Sequence, residues 1–173
     1  MRPEEEMVAL ALDVAEDGMR AGELPIGAVV VMGDEIIGRA YTQERTLGRR
    51  LVHAELLAME QADRRLGWTR RDGPVTLAVT LEPCLMCLGA AMAFGVRRVY
   101  YGLEAPDDGA AGVPAVWRPA SQDMSFSHLP TVTGGYLRKE CRDQFARYAA
   151  AAPDGSFQRY AERMAALPDY RID

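Results

Sequence analysis

Two short stretches of this chain carry side chains that could do chemistry: His53-Ala54-Glu55 and Pro83-Cys84-Leu85-Met86-Cys87. Cysteines three residues apart on a helix point to the same side, so the two sulfurs can share one ion. His53 is a third candidate ligand. Three protein ligands leave a tetrahedral zinc one position short, and a catalytic zinc holds water in that position. Glu55 stands where an acid could sit beside the metal without binding it. It would take a proton from the bound water, made acidic by the ion, and pass it to a leaving group. One Zn2+ per chain and a hydrolytic reaction are expected. Two other readings remain: a closed structural zinc site completed by Cys141 or His128, and a redox C-x-x-C pair. The redox reading leaves the H-x-E without a purpose. Cys141 fits as core packing in an amphipathic helix, and His128 as a surface loop residue.

The elements that must position these groups can be read from apolar periodicity. Residues 4 to 21 read as an amphipathic helix with acids in its first turn. Ile26 to Met32, Gly33-Asp34 and Glu35 to Tyr41 read as a hairpin, and residues 42 to 51 as polar and structureless. A helix runs from His53 to Leu66, stopped by Gly67. Val75 to Leu81 is apolar throughout, the pattern of a strand covered on both faces. Cys84 to Phe94 is so apolar that it reads as a buried helix. Val96 to Tyr101 then completes a parallel crossover. Residues 103 to 125 read as a long functional loop or a partly disordered one, and Thr131 to Thr133 as a short strand. Two closing helices span 137 to 151 and 156 to 166. Both chemical stretches thus begin helices, whose N-termini favour thiolate.

With 173 residues, 49% of them hydrophobic and 26% charged, the chain reads as an ordinary globular protein. No apolar run approaches the ~20 residues a bilayer span needs, and nothing resembles a signal peptide. Three cysteines fit a reducing compartment, with the cytoplasm as the default. Twenty basic and 25 acidic residues give a net charge of −5, a mild argument against a phosphate backbone as partner.

H-A-E followed by L-E-P-C-x-M-C resembles the signature of the zinc-dependent cytidine and deoxycytidylate deaminase superfamily, H-x-E…P-C-x-x-C. Leu24-Pro25-Ile26-Gly27-Ala28-Val29-Val30, Val79-Thr80-Leu81-Glu82-Pro83-Cys84 and Gly109-Ala110-Ala111-Gly112 resemble the branch of bacterial tRNA adenosine deaminases and small guanine deaminases. The resemblance spans about residues 4 to 150. It implies an α/β fold, a three-layer α/β/α domain with a five-stranded mixed sheet, and a homodimer. Residues 1–152 would form the deaminase domain, with 153–173 a helical extension packed on it. The metal ligands would be His53, Cys84 and Cys87, and Glu55 the proton carrier.

Candidate substrate contacts are Ile26, Thr42, Ala54, Glu82 and Trp117; a Trp in a Gly/Pro-rich loop needs a reason to be held. Phe157, Tyr160 and Tyr170 read as packing for the extension. Thr42 stands where the family commonly has a substrate-holding Asn, and a hydroxyl cannot present an amide's donor and acceptor pair. Glu104-Ala105-Pro106-Asp107-Asp108 stands where the tRNA enzymes carry a basic stretch, and three acids would repel an RNA backbone. These departures favour a free nucleobase or nucleoside, of purine type, as substrate. The alternative is adenosine-to-inosine deamination in a tRNA anticodon loop, and a non-catalytic zinc scaffold is a third reading.

Overall fold

A computed structural model describes residues 2–68, 73–121, 123 and 128–169. Tyr170 of the extension lies outside the described residues. The elements run α1 (Glu4–Arg20), β1 (Gly27–Met32), β2 (Glu35–Tyr41), α2 (Glu44–Leu47), α3 (Ala54–Leu66) and β3 (Val75–Leu81). After these come α4 (Leu85–Phe94), β4 (Val96–Leu103), α5 (Val113–Val116), β5 (Thr131–Thr133), α6 (Arg138–Ala151) and α7 (Ser156–Ala165). The five strands form one mixed sheet in the order β2-β1-β3-β4-β5. β1 is antiparallel to both of its neighbours, whereas β3, β4 and β5 run parallel. This is the expected fold class. Among the described residues, no helix is long and apolar enough to cross a membrane.

The period of two along each strand divides the core between two layers. Val29, Val31 and Ala78 face the layer of α1, α6 and α7, where they meet Val8, Ala11, Cys141, Phe145 and Met164. Ala28, Val30, Leu77 and Val79 face the other layer, with Ala54, Ala58 and Ala62 of α3 and Ala91 of α4. All seven residues of β3 are buried, which explains its unbroken apolar run.

Two glycines set how close the layers come. A Cβ on Gly27 would sit 2.3 Å from the Ala11 carbonyl oxygen in α1. One on Gly38 would sit 2.1 Å from the Ala58 carbonyl oxygen in α3. Each helix backbone therefore lies directly on a strand.

The structure departs from the sequence reading at three places. Residues 44–47 form a helical turn where none was expected, because the fully buried Glu23 carboxylate accepts the backbone N–H groups of Arg45 (3.1 Å) and Thr46 (2.6 Å). α4 is less buried than its composition suggests. Cys87, Leu88 and Ala91 are buried, while Leu85 is 63% exposed on its outer side. Here the sheet covers only one side of the helix. The loop after β4 is pinned rather than loose: Ala110 N–H donates to the Pro83 carbonyl at 2.9 Å, and Gly109 bridges to Cys84.

Two acids of that loop, Glu104 and Asp107, are also paired. Arg138 of α6 grips Glu104 through Nε–Oε2 at 2.8 Å and Nη2–Oε1 at 2.5 Å, and both side chains are largely buried. Arg163 of α7 reaches Asp107 at 2.9 Å. Burial acts to raise the Glu104 pKa, but the hydrogen bonds and charge of Arg138, a backbone hydrogen bond and the charge of Arg142 together hold the carboxyl below its ordinary value.

Two predictions follow from this packing. Gly38→Ala should lower unfolding stability in urea by about 2 kcal/mol through overpacking, whereas Gly112→Ala, with open space around its Cβ, should change it little. Glu104→Gln should cost about 1–2 kcal/mol at pH 7, the worth of a charge-assisted hydrogen-bond pair. Because the folded pKa is depressed, that contribution is complete above the ordinary value of 4.5 and fades as pH falls through the lower folded value. The stability gap between wild type and variant should therefore close in acid; a gap that persisted at pH 2 would contradict the assignment.

Candidate active site

α3 and α4 begin at the same end of the sheet, and their first residues meet. His53 and Cys84 are the N-cap residues of the two helices, both in extended backbone conformation. Glu55 and Cys87 follow within each first turn. His53 Nδ1 lies 3.7 Å from Cys84 Sγ and 3.5 Å from Cys87 Sγ, and the three ligand atoms all fall within 4.8 Å of one another. A tetrahedral zinc with ordinary Zn–S and Zn–N lengths puts nitrogen and sulfur ligands about 3.6 Å apart. The donor set and its spacing therefore fit zinc.

His53 Nδ1 is the nitrogen turned toward the sulfurs. Its Nε2 faces Glu44 Oε1 at 3.7 Å, so a carboxylate stands on the far side of the ring, where it can orient a metal-bound histidine. Neither Cys141, buried in the core, nor His128, exposed in its loop, joins the cluster.

The electrostatics follow from burial and close contact. A hydrogen bond from Cys87, and then one from His53, pull the Cys84 thiol down to about 4 against the cost of burial. Cys87 is pushed up by Cys84 and by burial, since two adjacent sulfurs do not both ionise readily. Contact with Cys84 raises His53 to about 9. Glu55 is 4% exposed, and burial lifts its carboxyl to about 7. A carboxyl so placed can both accept and release a proton near neutral pH.

These groups floor a cavity of about 430 Å³. Ile26, Thr42, Ala54 and Glu82 line it, along with His53, Glu55 and Cys84. The Thr42 hydroxyl donates to Glu44 Oε2 at 3.1 Å, with the Val52 carbonyl 3.4 Å away. The Glu82 carboxylate is occupied: it accepts N–H bonds from Ala105 (3.1 Å) and Ala111 (2.8 Å), and Gly109 lies against it. Trp117, half-buried just after the α5 turn, is not one of the lining residues. The opposite wall comes instead from α7, through Ser156, Phe157, Tyr160 and Arg163. Sequence reasoning took Phe157 and Tyr160 as packing, read Asp107 and Asp108 only as charge repelling RNA, and passed over Glu44; all of them line the cavity. The only signal for the α7 wall was the spacing of its aromatic residues, which core packing explains equally well.

A family model for the cytidine and deoxycytidylate deaminase zinc-binding region matches residues 1–103. The chain is 40% identical over 131 residues to the tRNA-specific adenosine deaminase of Bacillus subtilis, a match covering 76% of this chain and 79% of that protein. A solved structure from work on A-to-I editing by tRNA:A34 deaminases at the wobble position of transfer RNA superposes with a TM-score of 0.69. It is 35% identical and covers 80% of this chain and 98% of that one. The guanine deaminase from Nitrosomonas europaea superposes with a TM-score of 0.70 at 22% identity, covering 87% of each chain, a likeness of fold.

These matches correct the expectation of a free purine base or nucleoside as substrate, since the relatives with substantial sequence identity are named for tRNA. The physical reason for the error lies in the loop after β4. Two of its three acids, Glu104 and Asp107, are countered by Arg138 and Arg163 from helices far along the chain. With His53, Cys84 and Cys87 placed to hold the ion, the chain belongs to the cytidine and deoxycytidylate deaminase family and is a zinc-dependent hydrolase.

Proposed function

We propose that this chain converts adenosine to inosine in the anticodon loop of a tRNA, working as a homodimer. The observation that carries the reading is its identity to a tRNA-specific adenosine deaminase over three quarters of the chain. Zinc, when bound, supplies the Lewis acidity that makes a water nucleophilic near neutral pH. The rest is work for the chain's own residues. Glu55, buried and near neutral in its proton affinity, takes the proton of the attacking water. It returns that proton to the purine ring and then moves the proton of the newly added hydroxyl to the departing amino group, so the ring carbonyl forms as ammonia leaves and one water is consumed per ammonia released.

Ile26 and Ala54 give the base apolar contact at the cavity floor. Thr42 spends its hydroxyl hydrogen on Glu44 Oε2, and with the other carboxylate oxygen turned to His53 Nε2 the pair positions the metal-binding histidine. Glu82 holds the loop after β4 against the end of β3 rather than touching substrate. Beyond the mouth, Arg49 and Arg50 stand exposed in the segment between α2 and α3, where they can meet phosphates. The outer side of α4, with Leu85 exposed, and Leu51 at 65% exposure support a second copy of the chain as the partner that covers them.

Incubation with a tRNA transcript bearing adenosine at the wobble position should yield inosine and ammonia. Free adenosine, adenine, guanine and guanosine should yield neither at a comparable rate. Release of ammonia from the free compounds alone would overturn the reading. Glu55→Gln should retain its zinc on metal analysis yet lose at least about 10²-fold in inosine formation, and a variant that still turned over near the wild-type rate would remove Glu55 from the proton path.

A further inference from the structure

The wall that α7 presents to the cavity is built differently from the other walls. Ser156, Phe157, Tyr160 and Arg163 line the cavity at helical spacing, Ala161 and Met164 of the same helix are buried in the core, and Phe157 and Tyr160 also pack partly against that core. Tyr160 is clamped. Its ring meets Phe145 of α6 edge-on at 6.2 Å, and the Arg163 guanidinium lies 5.7 Å from its centre. Arg163 is held in turn by Asp107 across the cavity mouth.

Phe157, one turn earlier, has no ring partner among the described residues and is half-buried at the cavity edge. A rigid helix thus carries an aromatic ring whose cavity-facing surface is unmatched by any protein ring. An aromatic side chain in that setting is suited to a flat π-system, and every nucleobase presents one.

We propose that α7 is the recognition wall of this active site, with Phe157 the platform against which the substrate nucleobase stacks and Arg163–Asp107 the strut that fixes the platform's distance from the metal ligands. The assignment rests on the nucleic-acid substrate proposed above and adds a specificity-determining residue to it. Residues 156–165 lie beyond the segment that the family model matches.

Stacking and plain packing separate under substitution. Leucine keeps an apolar side chain of similar bulk but has no π face, whereas tyrosine keeps the ring. Steady-state kinetics on an anticodon stem-loop should show kcat/KM falling about tenfold in both F157A and F157L, mainly through KM. F157Y should stay within about twofold of wild type by the same stacking argument. Zinc content should be unchanged in all three. An F157L variant that matches wild type would reduce Phe157 to packing and overturn the proposal, as would an unchanged F157A. A wild-type protein that forms no inosine in RNA would instead overturn the proposed function, and this assignment with it.

Discussion

One imidazole nitrogen and two sulfurs must be held at tetrahedral spacing by two separate helices, and most of the structure serves that requirement. A shift of 1 Å in either helix would break a nitrogen–sulfur spacing of 3.5 Å. Depth is therefore fixed by contacts that cannot give. Gly38 lets the α3 backbone rest on β2, and the fully buried β3 delivers Pro83 and Cys84 to the start of α4. Close-packed interiors resist such displacements. The same arrangement explains Glu55: the first turn of a helix seated this deeply carries its side chain out of water, and desolvation raises its proton affinity toward neutrality.

Charge compensation around the cavity comes from distant parts of the chain. Glu44, Glu55, Glu82, Asp107 and Asp108 all border it, which by composition would make a strongly repulsive mouth for RNA. Most are already engaged. Glu82 receives two backbone N–H groups, Asp107 pairs with Arg163, and Glu44 accepts from Thr42. Glu104, just behind them, is gripped by Arg138. An acid paired with an arginine, as Glu104 and Asp107 are, contributes much less field at the mouth than its formal charge suggests.

What could be read from the sequence was what is encoded locally. The ligands declare themselves because three-residue spacing on a helix is a local property, and β2, β3 and β5 have the bounds read from the sequence. What could not be read depends on partners far along the chain. The α2 turn is capped by Glu23, 22 residues before Arg45, with no capping side chain of its own. Arg138 neutralises Glu104 from 34 residues away. α4 misled for a different reason: composition shows that a helix avoids water but not which surface covers it, and in one chain its outer side is bare. The α7 aromatics were ambiguous because a ring at helical spacing serves a core and a cavity wall equally well.

The two variable borders of the cavity, the loop after β4 and the C-terminal helix, behave as one mechanical unit. Arg138 donates to Glu104 and, with the same Nη2, to the Pro168 carbonyl at 2.8 Å, while Arg142 holds the Leu167 carbonyl at 3.0 Å. Arg163 ties α7 to Asp107, a few residues after Glu104 in the same loop. Neither border can move without pulling on the other through α6, and the Phe145–Tyr160 contact resists separation of α7 from the core. The floor of the site therefore sets the reaction by local sequence, whereas its mouth is a single tied structure whose shape only the folded chain defines. A substitution in α7 should accordingly be felt at Asp107 and Asp108, and one in that loop at Phe157, more strongly than either is felt at the metal ligands.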